Sequence, residues 1–235
     1  MKRFWETAAV EASEQGYGIL LDRQPIRLPG GAVLQVRGEA LALAVAAEWE
    51  AAGTAKGGEM SYADTPLTRL AGTAQERIAP DRWPIVDAIA RYGETDMLCY
   101  RAEGPESLVR RQQECWDPWL DWVARRYGAP LRVVVGVGPV KQHRGSIAAL
   151  RAAVGRLDEY GLAGMGVAVP ALGSLGLGLA LAEGELDARE AHELGALDEL
   201  YQMEKWGEDA EAAARRASIA EDIAVAARFM ALARA

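Results

Sequence analysis

The segment ETDMLCYR, residues 94–101, brings two acids, a thiol, a phenol and a guanidinium within eight positions. These groups are the ones that general acid–base and thiolate chemistry use. As an extended strand, however, residues 96–101 would place apolar side chains on both faces, which is typical of a buried strand. A thiol among apolar neighbours stays protonated. We therefore predict a structural strand in which Cys99 is an unreactive filler. The two acids, as acceptors, and the arginine, as donor, should anchor its ends by hydrogen bonds.

A second candidate for chemistry is GVGPVK, which follows a β-branched run as a phosphate-binding loop does. Lys141 stands where the dinucleotide fingerprint requires its third glycine, and Pro139 lacks the N–H that would face a phosphate. The Gly-Lys-Ser/Thr of a Walker loop is also missing. A small-molecule enzyme with a phosphate site at Gly136, Gly138 and Lys141 is kept only as the alternative function.

The histidines give no stronger signal for catalysis or metal binding. HELGA, residues 192–196, begins like a helical zinc motif, but Ala196 replaces the second histidine that would share the metal one turn later. His143 and His192 lie in different segments, and no GxSxG elbow is found. We expect no metal and no cofactor. Catalysis by Lys, Glu or Asp stays open, although no pair of these residues stands out.

Composition narrows the class of protein further. The chain has 235 residues, half of them hydrophobic, and a net charge of −8. This length allows one large or two modest domains, and the excess of acids argues against an unaided nucleic-acid binder. Cys99 and Cys115 are too few for a disulfide framework, so we expect two reduced thiols. Glu6 and Glu11 precede any apolar run, which argues against a secretory signal and for a cytoplasmic protein.

An uncharged stretch, residues 162–182, is long enough to span a bilayer. It contains Pro170 and several glycines, and its flanks are acidic instead of basic. We predict buried core that Pro170 breaks or kinks, with no stable membrane insertion. A peripheral membrane assembly factor is a further alternative.

The order of the predicted elements indicates an α+β fold. Residues 16–37 read as hairpins of a small antiparallel sheet, and an Ala/Leu-rich helix follows, in which Trp49 should be a packing residue. We predict a small N-terminal β-rich part, antiparallel with a helix, over residues 1–55. It is joined to a larger, mainly α-helical part over residues 56–235.

Local signals predict several element boundaries in the larger part. Asp117 followed by Pro118 is typical of an N-cap and a first helical turn, so a new helix should begin there. The β-branched run at 131–137 predicts a buried strand, which could pair with 96–101 or with the N-terminal sheet. Asp187 and Glu190 are spaced as a capping box for a helix that reaches residue 206.

Several motifs, in a fixed order over nearly the whole chain, resemble one protein family. They are RFWETA (3–8), GYGILLDRQPIRLP (16–29), AEWEA (47–51), PLTRLAGTAQERI (66–78), a stretch with ETD, CYR and WDP (87–128), and ALDELYQMEKWG (196–207). The chain resembles the F-type ATP synthase assembly chaperones that act on the alpha subunit of the catalytic head. It lacks the transit region of the mitochondrial relatives, which implies a bacterial member. The resemblance implies a non-enzymatic, ATP-independent chaperone that binds unassembled alpha subunit and prevents its aggregation.

The resemblance also implies that Glu199, the acid of the ExYQ motif, is functionally important. Helical spacing places Glu199, Gln202, Met203 and Trp206 in one stripe, beside a second apolar stripe that includes Tyr201. We predict that these four residues bind the partner. In the competing interpretation, which we favour for Trp206, that ring packs in the core, and Glu199 satisfies a buried donor.

Overall fold

Contacts in the computed structural model, which describes residues 2–235, divide the chain into two units. The N-terminal unit contains the chain up to residue 82 together with residues 159–164 and 228–235. The helical unit contains residues 83–158 and 165–227. The predicted α+β fold is confirmed, whereas a boundary between folding domains at residue 55 stays a prediction.

The N-terminal unit is built on an antiparallel sheet in which β2 pairs with β1, β3 and β4. Its elements are β1 (Ala8–Ser13), β2 (Gly16–Leu21), β3 (Gln24–Pro25), β4 (Gln35–Val36), α1 (Glu39–Ala51) and α2 (Pro66–Thr73). Gly16, at the β1–β2 turn, has a φ of +123°, and a Cβ there would lie 2.4 Å from the carbonyl oxygen of Val36. Only glycine fits this turn, and the predicted hairpins are confirmed.

Two tryptophans form the centre of the N-terminal unit. Trp49 of α1 is buried, as predicted, and its ring meets the edge of Trp5 at a centroid distance of 4.9 Å. Trp5 Nε1 donates to the carbonyl oxygen of Trp49 (3.0 Å), and Trp49 Nε1 donates to Thr68 Oγ1 of α2 (2.8 Å). Both indole donors are therefore satisfied inside the core, which burial requires.

The helical unit carries the remaining elements. They are α3 (Trp83–Ala90), β5 (Tyr100–Arg101), α4 (Glu106–Tyr127), β6 (Val134–Val135), α5 (Arg144–Val154), α6 (Glu159–Leu172), α7 (Leu175–Glu183), α8 (Ala188–Gly195), α9 (Leu197–Trp206) and α10 (Ala210–Arg234). The first residues of α6 and the last of α10 group with the N-terminal unit. Every residue of α7 from Leu175 to Ala182 is buried, so this helix lies in the core.

Three predicted helix boundaries differ from the structure. Helix α4 runs through Pro118. Proline has no N–H, so the carbonyl oxygen of Glu114, four residues earlier, loses its helical donor. Both positions are exposed, and water can bind that oxygen instead. The Asp187–Glu190 capping box is confirmed, but Ala196 separates α8 from α9. Pro170 lies inside α6, and the break comes at Gly173, which has a φ of +64°. Between residues 2 and 235 no helix is long and apolar enough to cross a membrane.

The two predicted middle strands are much shorter than expected. Residues 97–99 form a 3₁₀ turn, and only Tyr100–Arg101 continues as β5, which pairs in parallel with β6. The prediction of a buried strand at 131–137 is wrong, because Val135 is 64% and Val137 is 99% exposed. The β-branched composition favoured burial, but β5 is the only described strand that pairs with β6, and only over two residues.

Candidate functional site

Asp96, the acid at the centre of ETDMLCYR, joins two helical segments of the helical unit. Its Oδ1 accepts from Leu98 N–H (3.1 Å), and its Oδ2 accepts from Gly176 N–H (2.9 Å) in the first turn of α7. The carboxyl group is fully buried, and burial raises its pKa. A carboxylate at a helix N-terminus satisfies amides that have no partner within the helix. Asp96 is therefore a structural cap.

Removing this cap should cost stability. Asp96→Ala leaves two buried amides without an acceptor, and we expect the free energy of unfolding to fall by about 2 kcal/mol. Urea denaturation followed by circular dichroism measures the change. Glu94→Ala is the control, because Glu94 is exposed and should change stability by less than about 0.5 kcal/mol. Equal stability of the two variants would show that Asp96 is no anchor.

Arg101, of the CYR motif, contacts the first two residues of the WDP motif. Its guanidinium donates to the carbonyl oxygen of Leu98 (2.5 Å), pairs with Asp117, and lies 5.1 Å from the ring centroid of Trp116. Arg101 and Trp116 are both buried. The prediction that Asp96 and Arg101 anchor this segment is confirmed. For Glu94 it is wrong, because that side chain is exposed and makes no hydrogen bond to any described residue.

Cys99 lies within the same cluster and has no access to solvent. Burial, with a smaller contribution from the nearby Asp96 charge, raises the pKa of its thiol to about 12. Both cysteines are free, as expected, and Cys115 is half-buried, with its pKa raised chiefly by burial. Cys99 therefore has none of the thiolate character that catalysis needs.

Alkylation distinguishes the two thiols. With iodoacetamide at pH 8, we expect Cys115 to react first and Cys99 only after denaturant is added. A thiol with a raised pKa carries little thiolate, and the buried one is also shielded from the reagent. Mass spectrometry of tryptic peptides over time gives both rates. Fast native-state labelling of Cys99 would contradict the structural assignment of this segment.

The alternative phosphate site finds little support in its geometry. The N–H of Gly136, which a phosphate loop would present to its ligand, donates to the carbonyl oxygen of Arg101 (2.8 Å). Lys141 is exposed on a different part of the segment, where it lines an open groove. Among residues 2–235, no cluster of three metal-ligating side chains occurs.

The predicted binding residues lie on α9, and α4 holds one side of that helix. Tyr201 is buried and hydrogen-bonds through its hydroxyl to Ser107 of α4. Arg111 donates to both carboxylate oxygens of Glu204 at 2.8 Å, which lowers the pKa of Glu204. A bidentate pair of this kind fixes the orientation of the two side chains as well as the distance between them.

Helix α10 holds the opposite side of α9 through two of the predicted residues. Glu199 Oε1 accepts from Arg215 (2.9 Å), and Glu199 Oε2 lies 3.9 Å from Arg216. Arg216 also donates to Met203 Sδ (3.4 Å) and to Glu208 (3.1 Å). These contacts could not be predicted from the sequence, because the partners lie up to 17 residues apart, on α9, in the segment after it and on α10.

Glu199 also faces a small internal cavity. The cavity, about 70 Å³, lies between the end of α6 and helices α8, α9 and α10, and His192 and Ile223 are part of its lining. His192 Nε2 and Glu199 Oε2 are buried here and lack a hydrogen-bond partner in the described chain. This volume is sufficient for water that would satisfy both atoms.

Gln202 and Trp206 remain on the free face of α9. Trp206 is 78% exposed, and Gln202, one turn earlier, is also exposed. The interpretation of Trp206 as a core residue is therefore wrong. Whether these side chains bind a partner stays a prediction. A large exposed aromatic on a helix fixed along both flanks is well suited to be an anchor, since little order must be gained on binding.

Comparison with known proteins decides the family. A model of the ATP12 chaperone protein family matches residues 2–124, which is more than half of the chain. The chain belongs to the ATP12 chaperone family. The resemblance found in the sequence motifs is thus confirmed.

Three similar proteins match between 88% and 99% of this chain. The crystal structure of Atp12 from Paracoccus denitrificans is 43% identical, with a TM-score of 0.92 over 99% of this chain and 98% of that one. A crystal structure from Agrobacterium tumefaciens is 38% identical, with a TM-score of 0.91 over 97% of this chain and 85% of that one. Mitochondrial atp12 of Schizosaccharomyces pombe is 23% identical, covering 88% of this chain and 74% of that protein.

The motifs that carry the ATP12 resemblance divide by physical role in this chain. Asp96, Arg101 and Asp117, from ETD, CYR and WDP, are engaged in internal hydrogen bonds and ion pairs. In the downstream motif, Tyr201 is buried and Trp206 is exposed. Trp206 is thus the most exposed aromatic of these motifs, ahead of Phe4 in RFWETA, which is 63% exposed.

Proposed function

We propose that this chain is an ATP-independent assembly chaperone. It binds unassembled alpha subunit of the F-type ATP synthase and keeps it from aggregating until the catalytic head is built. It works in the bacterial cytoplasm and is not an enzyme. The observation that carries the proposal is the exposed indole of Trp206 on the free face of α9, in a chain of the ATP12 chaperone family.

The physical basis is the burial of an apolar interface. An unassembled subunit exposes the surface that its neighbours will later cover, and such surfaces drive aggregation. A binder with an aromatic anchor and a polar rim can cover that surface reversibly, so no ATP-driven cycle is needed. In this chain Trp206 supplies the anchor, Gln202 and Glu199 supply polar groups beside it, and Met203 supplies an adaptable apolar contact.

Light scattering tests this function directly. Denatured alpha subunit is diluted into buffer with an equimolar amount of the chain, in the presence and absence of ATP. We expect scattering to be suppressed equally in both conditions. Unchanged scattering would overturn the proposal, and suppression only with ATP would overturn its ATP-independent form.

Neutralising Glu199 separates a binding role from a structural one. Its ion pair with Arg215 joins two side chains that are 41% and 63% exposed, and such pairs contribute less than about 1 kcal/mol. We expect Glu199→Gln to melt almost normally but to bind alpha subunit at least roughly tenfold more weakly, as loss of a charged hydrogen bond predicts. Calorimetry and isothermal titration measure the two effects.

Glu208→Gln is the matched control, because Glu208 also pairs with Arg216. Binding by this variant should equal that of the wild type. A large fall in the melting temperature of Glu199→Gln would instead assign that side chain a structural role.

A further inference from the structure

The segment that follows α4 exposes an apolar stripe that no described element covers. Val133, Val135 and Val137 are 46%, 64% and 99% exposed. Alternate residues of an extended segment share one face, so Val133 and Val135 lie on the same side of β6. The chain then bends at Gly136, which has a φ of +83°, before it reaches Val137. Exposed β-branched side chains at a strand are suited to contact a second extended chain.

The backbone of this segment offers a free edge. Strand β6 pairs with β5 on one side, and the Gly136 N–H continues that pairing to the carbonyl oxygen of Arg101 (2.8 Å). In the described chain no other strand pairs with β6. Because backbone groups alternate in direction, those of Val135 point towards the open edge, where an added strand could bond them.

The charge around this edge is opposite to that of the rest of the protein. Residues 122–157 contain seven Arg and Lys and no Asp or Glu, in a chain whose net charge is −8. Arg132, Lys141 and Arg144 are exposed and form no ion pair with any residue from 2 to 235. Acids close to this region include Glu103, beside Gly136, Glu94 in the groove lining, and Asp87, which pairs with Arg151 of that lining.

A groove lies at the start of α5, and its lining includes the chain from Pro139 onwards, two residues after Val137. Its volume is about 720 Å³, and its lining includes Pro139, Val140, Lys141, Arg144 and Ile147. Its lining combines apolar and basic groups, and it follows β6 closely in the sequence. The edge and the groove are together complementary to an extended segment with apolar and acidic side chains.

We propose that the open edge of β6 and this groove bind an extended, apolar and acidic segment of the unfolded client, which adds as a strand beside β6. The inference deepens the proposed chaperone function and rests on it for the identity of the client. A second copy of the chain fits less well, because edge-to-edge pairing would bring Arg132, Lys141 and Arg144 close to the same charges of its partner. Exposed basic side chains are a known protection of edge strands against self-association.

Two capped peptides test the site without any alpha subunit. One alternates valine with glutamate and the other alternates valine with lysine, and each carries a fluorophore for anisotropy. We expect the glutamate peptide to bind at least tenfold more tightly than the lysine peptide. Hydrogen exchange at residues 133–137 should slow when the glutamate peptide is bound. Equal affinities, or unchanged exchange, would overturn the proposal.

Variants of the full chain locate the contact. Val135→Pro removes the N–H on the open edge, and an edge strand tolerates proline at such a position. The variant should bind the glutamate peptide at least tenfold more weakly than the wild type. Val135→Thr keeps the N–H and the β-branched shape, and should bind within about twofold of the wild type. If Val135→Pro fails to fold, the double variant Lys141→Glu, Arg144→Glu tests the site instead. It should bind the lysine peptide more tightly than the glutamate peptide. Binding that these changes leave unaltered would refute the site.

Two further outcomes separate this inference from the proposed function. If the wild-type chain binds the glutamate peptide but does not protect alpha subunit, the proposed function fails and the site stands. If it protects alpha subunit but shows no preference between the peptides, the site fails and the function stands. Concentration-dependent dimers whose residues 133–137 are protected without peptide would assign the edge to a second copy and overturn the inference.

Discussion

Trp49→Ala is expected to lower the free energy of unfolding by about 3–5 kcal/mol, the range for removing a large buried aromatic. The indole is 7% exposed and packs against Trp5. Its removal leaves a cavity in the centre of the N-terminal unit and deprives Thr68 of a hydrogen bond. The free energy of unfolding of most small domains is only about 5–15 kcal/mol in total, so the variant should lose a substantial part of its stability and melt at a clearly lower temperature.

Trp49→Phe is the control for this prediction. It retains an aromatic ring but loses the Nε1 donor to Thr68, so it should cost clearly less than the alanine variant. Denaturant titration monitored by circular dichroism gives both values. Normal stability of Trp49→Ala together with lost client binding would contradict a packing role and would assign Trp49 to an interface.

Trp206→Ala is expected to weaken binding of alpha subunit by about 2 kcal/mol or more, which is roughly thirtyfold, because buried tryptophans dominate interfaces. The same change should leave the melting temperature within about 2 °C of the wild type, since the ring is 78% exposed in the free protein and exposed positions contribute little to stability. Isothermal titration and calorimetry report the two quantities separately.

Tyr62→Ala is the matched control, because Tyr62 is also an exposed aromatic, at 70%, but belongs to the N-terminal unit. It should bind alpha subunit as the wild type does. Equal losses from the two substitutions would show that α9 is not a specific contact. A large loss of stability in Trp206→Ala would show that its indole packs in solution.

Features set by local sequence were predictable. The hairpin ahead of α1 follows from turn residues and alternation, and the Asp187–Glu190 box depends on two side chains three residues apart. The prediction that a new helix begins at Pro118 was wrong, although the local signal is typical of a helix start. Helix α4 tolerates the proline because only one helical hydrogen bond is lost, on the solvent-exposed side. Gly173, which actually separates α6 from α7, is one of several glycines in that stretch, and sequence alone did not distinguish it.

Features set by long-range contacts were not predictable. The β-branched run at 131–137 has the composition of a buried strand, and its exposure depends on which elements happen to cover it. For the candidate site, helical spacing predicted that Glu199, Gln202, Met203 and Trp206 lie in one stripe of a helix. Only the structure shows that Arg215 binds Glu199 and that Arg216 contacts Met203. It also shows that Gln202 and Trp206 remain exposed.

Co-expression with the alpha subunit tests the central claim most directly. The alpha subunit is produced alone, with the wild-type chain carrying an affinity tag, and with the tagged Trp206→Ala variant. The proposed function predicts that the wild-type chain raises the soluble yield of alpha subunit and co-purifies with it, and that the variant does so much less. No rise in yield and no capture by the wild-type chain would contradict it.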